Sequence, residues 1–127
     1  MDVPMNSTAR QVALGIGASR LAMGLGIFFA TQPALRALRF GSTDAQGEAM
    51  AKLGGGRDIA IGVMTLAARN NPAALRTTIL ISSVCDAADA IALGVSARRP
   101  ETRAAGIGGI LSGGAAAVAG LWSWHRL

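Results

Sequence analysis

The chain has one cysteine, no tyrosine, two tryptophans and three phenylalanines in 127 residues, and 15% of it is charged. The single cysteine, Cys85, excludes an intramolecular disulfide and reads as a small apolar core residue. The shortage of aromatics leaves little for stacking nucleic-acid bases, although the net charge is +5. The arginines are scattered between apolar stretches, as on membrane flanks, and are not gathered on one nucleic-acid-facing surface. No spaced set of histidines and cysteines offers a metal site, His125 lies near the last residue of the sequence, and no cofactor motif is present. No metal, cofactor or nucleic acid is therefore expected.

What the chain has in quantity is apolar residues, at 51%. The stretch after Arg10 contains Arg20 and outlasts the core of a secretory signal, so it reads as a retained first helix. Punctuation then divides the chain into spans at about 9–30, 48–68, 72–97 and 104–124, with a short interfacial helix at about 33–40. Gln32 and Pro33 close the first span, Asn70-Asn71-Pro72 makes a tight stop and restart, and Arg98-Arg99-Pro100-Glu101 marks the last loop. Thr43 and Gln46 have the spacing of a capping box. Leu35 and Leu38 share one face of the interfacial segment, and Arg36 and Arg39 share another.

Only the fourth span is free of charge and meets a strict hydropathy criterion unaided; the others require their internal charges to be paired. Trp122 and Trp124, followed by His125 and Arg126, form an interfacial anchor. The expected fold is all-α: one domain, residues 1–127, forming an integral membrane four-helix bundle with short turns. The expected location is the bacterial inner (cytoplasmic) membrane. Basic residues on the first and third loops outnumber those on the opposite side, which favours outward-facing termini.

Five ionisable residues stand inside these spans: Arg20, Arg57, Asp58, Asp86 and Asp89. At roughly 2.5–3.5 kcal/mol each on insertion scales, they would cost on the order of 12–17 kcal/mol if left unpaired. At about 1.5 Å rise per residue, Arg20, Arg57, Asp58 and Asp86 fall at similar depths, so they form one layer, and Asp89 extends it by a turn. Helices two and three, joined by the tight turn, should be antiparallel neighbours, with Arg57 or Arg20 bridging to Asp86 and the other carboxyls near the end of the cluster. Two cations against three acids leaves a carboxyl in surplus, the setting for a general acid. Asp86, Asp89 and Asp58 are thus the candidate catalytic residues, and Arg20 and Arg57 the candidate substrate-binding ones.

Small residues recur at three- or four-residue spacing. Gly54, Asp58 and Gly62 mark one close-packing face in the second span, and Gly106, Gly109, Gly113 and Gly120 mark another in the fourth. Gly109, Gly113 and Gly120 could join two copies of the chain, or join it to a larger membrane complex. The run Gly54-Gly55-Gly56 admits three readings: tight helix packing, a helix break lining a cavity, or a phosphate loop lacking the usual strand and lysine.

An arginine in the first helix followed by Gly24, then Gly56-Arg57-Asp58-Ile59-Ala60-Ile61-Gly62, then an aspartate late in the third helix together resemble an uncharacterised family of small four-helix integral membrane proteins of bacteria and fungi. The resemblance covers most of the chain; it implies the membrane fold and no particular activity. Small multidrug exporters are of similar size but carry an acidic residue in helix one, where this chain has Arg20. The asparagine and threonine-phenylalanine stretch of fluoride channels is missing as well. The residues favour a pocket for a lipid or lipophilic small molecule, with acid-base chemistry such as isomerisation, cyclisation or epoxide opening. The alternatives are a non-catalytic accessory subunit of a larger membrane complex, or, third, a small transporter or channel.

Overall fold

A computed structural model describes residues 6–127, so the first five residues of the expected domain lie outside the described residues. The described chain forms five α-helices: α1 Ser7–Phe29, α2 Thr31–Ala37, α3 Ala45–Ala67, α4 Pro72–Ser96 and α5 Arg103–Arg126. There is no strand among the described residues. Helix starts follow local chemistry. The Asn6 side chain accepts hydrogen bonds from the first-turn amides of α1, and Asn71 does the same for α4, where Pro72 fills the first turn.

Two boundaries differ from the sequence reading. The Thr43 capping box does not form; Asp44 caps α3 by accepting from the Gly47 amide at 2.8 Å, while the Thr43 carbonyl accepts from Gln32. The short helix expected to reach residue 40 stops at Ala37, because Arg39 and Gly41 take left-handed φ values of 66° and 75° and turn the chain. The glycine run Gly54-Gly55-Gly56 does not break α3, which is continuous from Ala45 to Ala67.

The long helices associate as two antiparallel pairs, α1 with α3 and α4 with α5. Glycines set both contacts. A Cβ at Gly24 would lie 2.7 Å from the Gly55 carbonyl oxygen, and one at Gly62 would lie 2.7 Å from that of Gly17. The seven-residue interval from Gly17 to Gly24 thus meets the equal interval from Gly55 to Gly62, and the backbones touch twice on one seam. On α5, Gly106 backs onto the Leu93 carbonyl, Gly109 onto the Leu93 side chain, Gly113 onto the Asp86 carbonyl and Gly120 onto Ser83. The surface assigned from sequence to a second copy, Gly109, Gly113 and Gly120, is therefore taken up by α4 of the same chain. The expected close pairing of helices two and three is corrected too: α3 and α4 adjoin near their turn, but each packs more extensively on α1 or α5.

The two pairs meet tightly at one end. There the Ser123 hydroxyl donates to the Ala9 carbonyl at 2.7 Å, and Ala13, Leu75 and Ile79 are fully buried, with Trp124 and Leu127 packed around them. Elsewhere, apart from Ile61 and Arg20, the buried residues are small. Thr65, Ser82, Ser83 and Ser123 are fully buried, and Thr65 and Ser83 donate to carbonyls one turn back in their own helices. Large apolar side chains lie outside, among them Phe29, Leu53, Ile91 and Val118.

Among the described residues, three helical segments are long and apolar enough to cross a membrane: Ser7–Phe29, Pro72–Ser96 and Pro100–Arg126. Helix α3 carries Glu48, Lys52, Arg57 and Asp58, which lower its mean hydropathy. Arg57 and Asp58 are turned into ion pairs, and Lys52 pairs with Glu48 one turn away.

Candidate functional site

The four charges predicted to share a layer, and Asp89 one turn beyond it, are brought together. Arg20, at the middle of α1, is 5% exposed and reaches across to both α3 and α4. One terminal nitrogen of its guanidinium pairs with Asp58, and the other pairs with Asp86 and donates to the Ser82 carbonyl. Nε donates to the Ser82 hydroxyl at 2.7 Å. The planar fork of arginine suits this, since one side chain supplies divergent donors to three groups on two helices.

Arg57 on α3 clamps Asp89 on α4 with two bonds, at 3.0 and 2.6 Å, and sits 3.4 Å from Asp58. Of the two arginines expected to bridge to Asp86, Arg20 is the one that does, and Asp89, at the end of the cluster, has a cation of its own in Arg57. The side chains run Asp89, Arg57, Asp58, Arg20, Asp86 in unbroken succession. Asp86 and Asp89 are three residues apart on α4 and share a face, so the succession closes on itself as a ring.

The local packing explains why Arg20 can reach so far. It lies between Gly17 and Gly24, where α1 and α3 are in backbone contact, and nothing on α3 separates it from Asp58. Ser82 is the residue that the sequence reading missed. It stands four positions before Asp86 on α4, so Ser82, Asp86 and Asp89 form a polar stripe at helical spacing, and that stripe is the signal that could have found it.

The ring lies in the wall of a cavity of about 1430 Å³ between the two helix pairs. Apolar side chains from every long helix, including Ile16, Met23, Ala51, Leu93, Ile107 and Leu111, line it together with bare glycine backbone at Gly54 and Gly108. Leu35, Leu38 and Phe40, on and just after α2, contribute at the side away from the Ala13–Leu75 contact. Added side chains at Gly15, Gly54 or Gly108 would meet open space. The glycine run thus serves two purposes: Gly55 brings α3 onto α1, and Gly54 opens the cavity.

Within the ring, two buried side-chain atoms among the described residues have no hydrogen-bond partner, Arg57 Nε and Asp86 Oδ2. Both residues line the cavity. Buried polar atoms without partners are uncommon; these two are covered by the surrounding protein, and it is the remaining polar atoms of Arg57 and Asp86 that border the cavity. No family model, no curated protein and no solved structure matches the chain.

Proposed function

We propose that the chain is a small integral membrane protein, a four-helix bundle in the bacterial inner membrane, whose cavity binds a lipid or lipophilic small molecule against the Arg/Asp ring. The membership expected from the glycine-arginine-aspartate segment, in a family of small four-helix membrane proteins, accords with this. The observation that carries the reading is the cavity: about 1430 Å³ of mostly apolar lining with convergent charges in one wall. Its size exceeds the roughly 300–1,000 Å³ of ordinary small-molecule pockets, which suits a long or multi-ring hydrocarbon body.

Helix α3 is the fourth span in this reading. Its charges at residues 57 and 58 are both paired, Asp58 buried against Arg20 and Arg57 partly exposed with Asp89, while Met50, Leu53, Val63 and Met64 are exposed on its surface. Ionisable groups at membrane depth that pair with each other and border a cavity are characteristic of functional sites.

In this reading Asp86 is the acid, because it borders the cavity and keeps one oxygen free of partners, whereas both oxygens of Asp89 are held by Arg57. Arg57 and Arg20 orient the ligand and balance charge. A carboxyl beside a guanidinium in an apolar cavity is suited to proton transfer in isomerisation, cyclisation or epoxide opening.

The test is native mass spectrometry of the chain extracted in mild detergent, beside a Gly108→Leu variant that fills the cavity where an added side chain meets nothing. A bound lipophile on the wild type, lost from the variant at unchanged thermal stability, is the expected result. A wild type that carries no small molecule and purifies with a second protein would instead support the accessory-subunit reading.

A further inference from the structure

The cavity changes sign of charge along its length. Its mouth lies away from the Ala13–Leu75 contact, at the connection from α2 to α3 and the start of α5. Leu38, Arg39, Ser42 and Thr43 border it on the first of these segments, and Thr102 and Ala104 on the second. Residues 36–44 and 97–103, which carry these borders, hold five arginines (Arg36, Arg39, Arg98, Arg99 and Arg103) against two carboxylates, Asp44 and Glu101. None of the five arginines enters an ion pair among the described residues. Asp44 is already engaged as the cap of α3. Outside the ring, Arg39 is the one charged residue among the described residues that borders the cavity.

Inward of the mouth the balance reverses, since the ring holds three acids and two arginines. Between the two, Met23, Ile27, Leu93 and Ile107 border the cavity and carry no charge. Arg20 to Ile27 on α1 and Asp86 to Leu93 on α4 are both intervals of seven residues, so the ring lies about 10 Å in from the mouth by helix rise. The cavity continues past the ring to Val12 on α1 and Ala116 on α5.

Resting on the cavity being a ligand site, we infer that its ligand is a lipid with an anionic head, a carboxylate or a phosphate, seated at the mouth beside Arg39 with its hydrocarbon chain running inward past the ring. A mouth with surplus arginines between membrane helices attracts an anion and repels an ammonium. The surplus carboxyl of the ring repels the same anion, so the head stays at the mouth and the hydrocarbon alone enters. An uncharged alcohol gains from neither field. The apolar wall between mouth and ring offers a second polar group no partner, so that stretch of the ligand is hydrocarbon. With the head at Arg39, Asp86 faces a position along the hydrocarbon about 10 Å from the head, and not the head itself.

Hexadecyl phosphate, hexadecanol and hexadecylamine share a hydrocarbon body and differ in the charge of the head. Each is offered at equal concentration and low salt to the protein in an uncharged detergent, and the bound fraction is read by native mass spectrometry on the wild type, Arg39→Asn and Gly108→Leu. The phosphate should be retained at least about tenfold better than the other two, a difference of about 1.4 kcal/mol and within reach of one charge-assisted hydrogen bond. Arg39→Asn removes the guanidinium, and asparagine accepts the left-handed φ of 66° at this position, so the turn is kept. The variant should lose most of the preference at unchanged thermal stability. Inorganic phosphate at the same concentration should not displace the bound amphiphile, which separates a lipid head from a free anion.

Equal retention of the three probes, preference for the alcohol or the amine, a phosphate preference indifferent to Arg39→Asn, or displacement by inorganic phosphate would each overturn the anionic-head assignment and leave the cavity reading standing. Retention of none of the three by the wild type, or equal retention by wild type and Gly108→Leu, would overturn the cavity reading itself.

Discussion

The two ends of this molecule are built from the same helices and behave as opposites. At one end, α1 and α5 are stitched by the Ser123 to Ala9 hydrogen bond, and Leu75 and Ile79 are fully buried. At the other, the same helix pairs border a half-open cavity, and away from the charged residues most of what faces it is glycine and partly exposed apolar side chains. The Arg/Asp ring lies between them. Close packing is concentrated at the end that holds the pairs together, while the end with the cavity leaves packing undone. The ring fixes the spacing at the junction, since Arg20 ties α1 to both α3 and α4.

The largest effect is expected at the junction between the two ends. Arg20→Leu strands Asp58, Asp86 and Ser82 without their shared donor, and it should destabilise the chain by about 3–5 kcal/mol, the range for breaking a buried ion pair. Thermal unfolding in detergent measures this, and an effect below about 1 kcal/mol would show the ring to be dispensable for the fold.

Next in size is a pair of identical truncations at the two ends. Leu75→Ala removes a fully buried side chain and should cost about 2–5 kcal/mol, whereas Leu111→Ala, at a position 69% exposed, should stay within about 0.5 kcal/mol. Equal losses at both ends would erase the distinction.

Glycine positions refine it further. Gly62→Ala pushes a methyl to within 2.7 Å of the Gly17 carbonyl oxygen and should cost about 1–3 kcal/mol through separation of α1 from α3. The smallest expected effect has the opposite sign. Gly108→Ala projects into open space within a helix and should stabilise by about 0.5–1 kcal/mol, read as a rise in unfolding temperature.

Much of this arrangement was legible beforehand because helices leave one-dimensional signals. Asn71-Pro72 announces the start of α4 by its capping chemistry, and Pro100 marks the approach to α5. The layer of charges followed from rise per residue alone, since depth along a straight helix is a property of sequence position. Which arginine serves which carboxylate did not follow. Pairing depends on rotation about helix axes and on which helices are neighbours, and the short turn before Pro72 pointed to α3 and α4, whereas the closest packing is of α3 on α1. The seam of Gly17 and Gly24 against Gly55 and Gly62 requires two helices to be laid side by side before its common interval means anything. Gly109, Gly113 and Gly120 show the same limit: small-residue spacing identifies a packing face, but it carries no information on whether the partner helix belongs to the same chain.

The helices, their apolar character and the set of five charged residues follow from the order of amino acids, because hydropathy, capping and helical rise act along the chain. That Arg20 bridges two aspartates, that Ser82 completes its coordination, and that one donor and one acceptor of the ring are buried without partners emerges from how the helices pack in three dimensions. Hydrogen bonds and cavities are set by distances between helices, and those distances arise only when the glycine seams bring the backbones together.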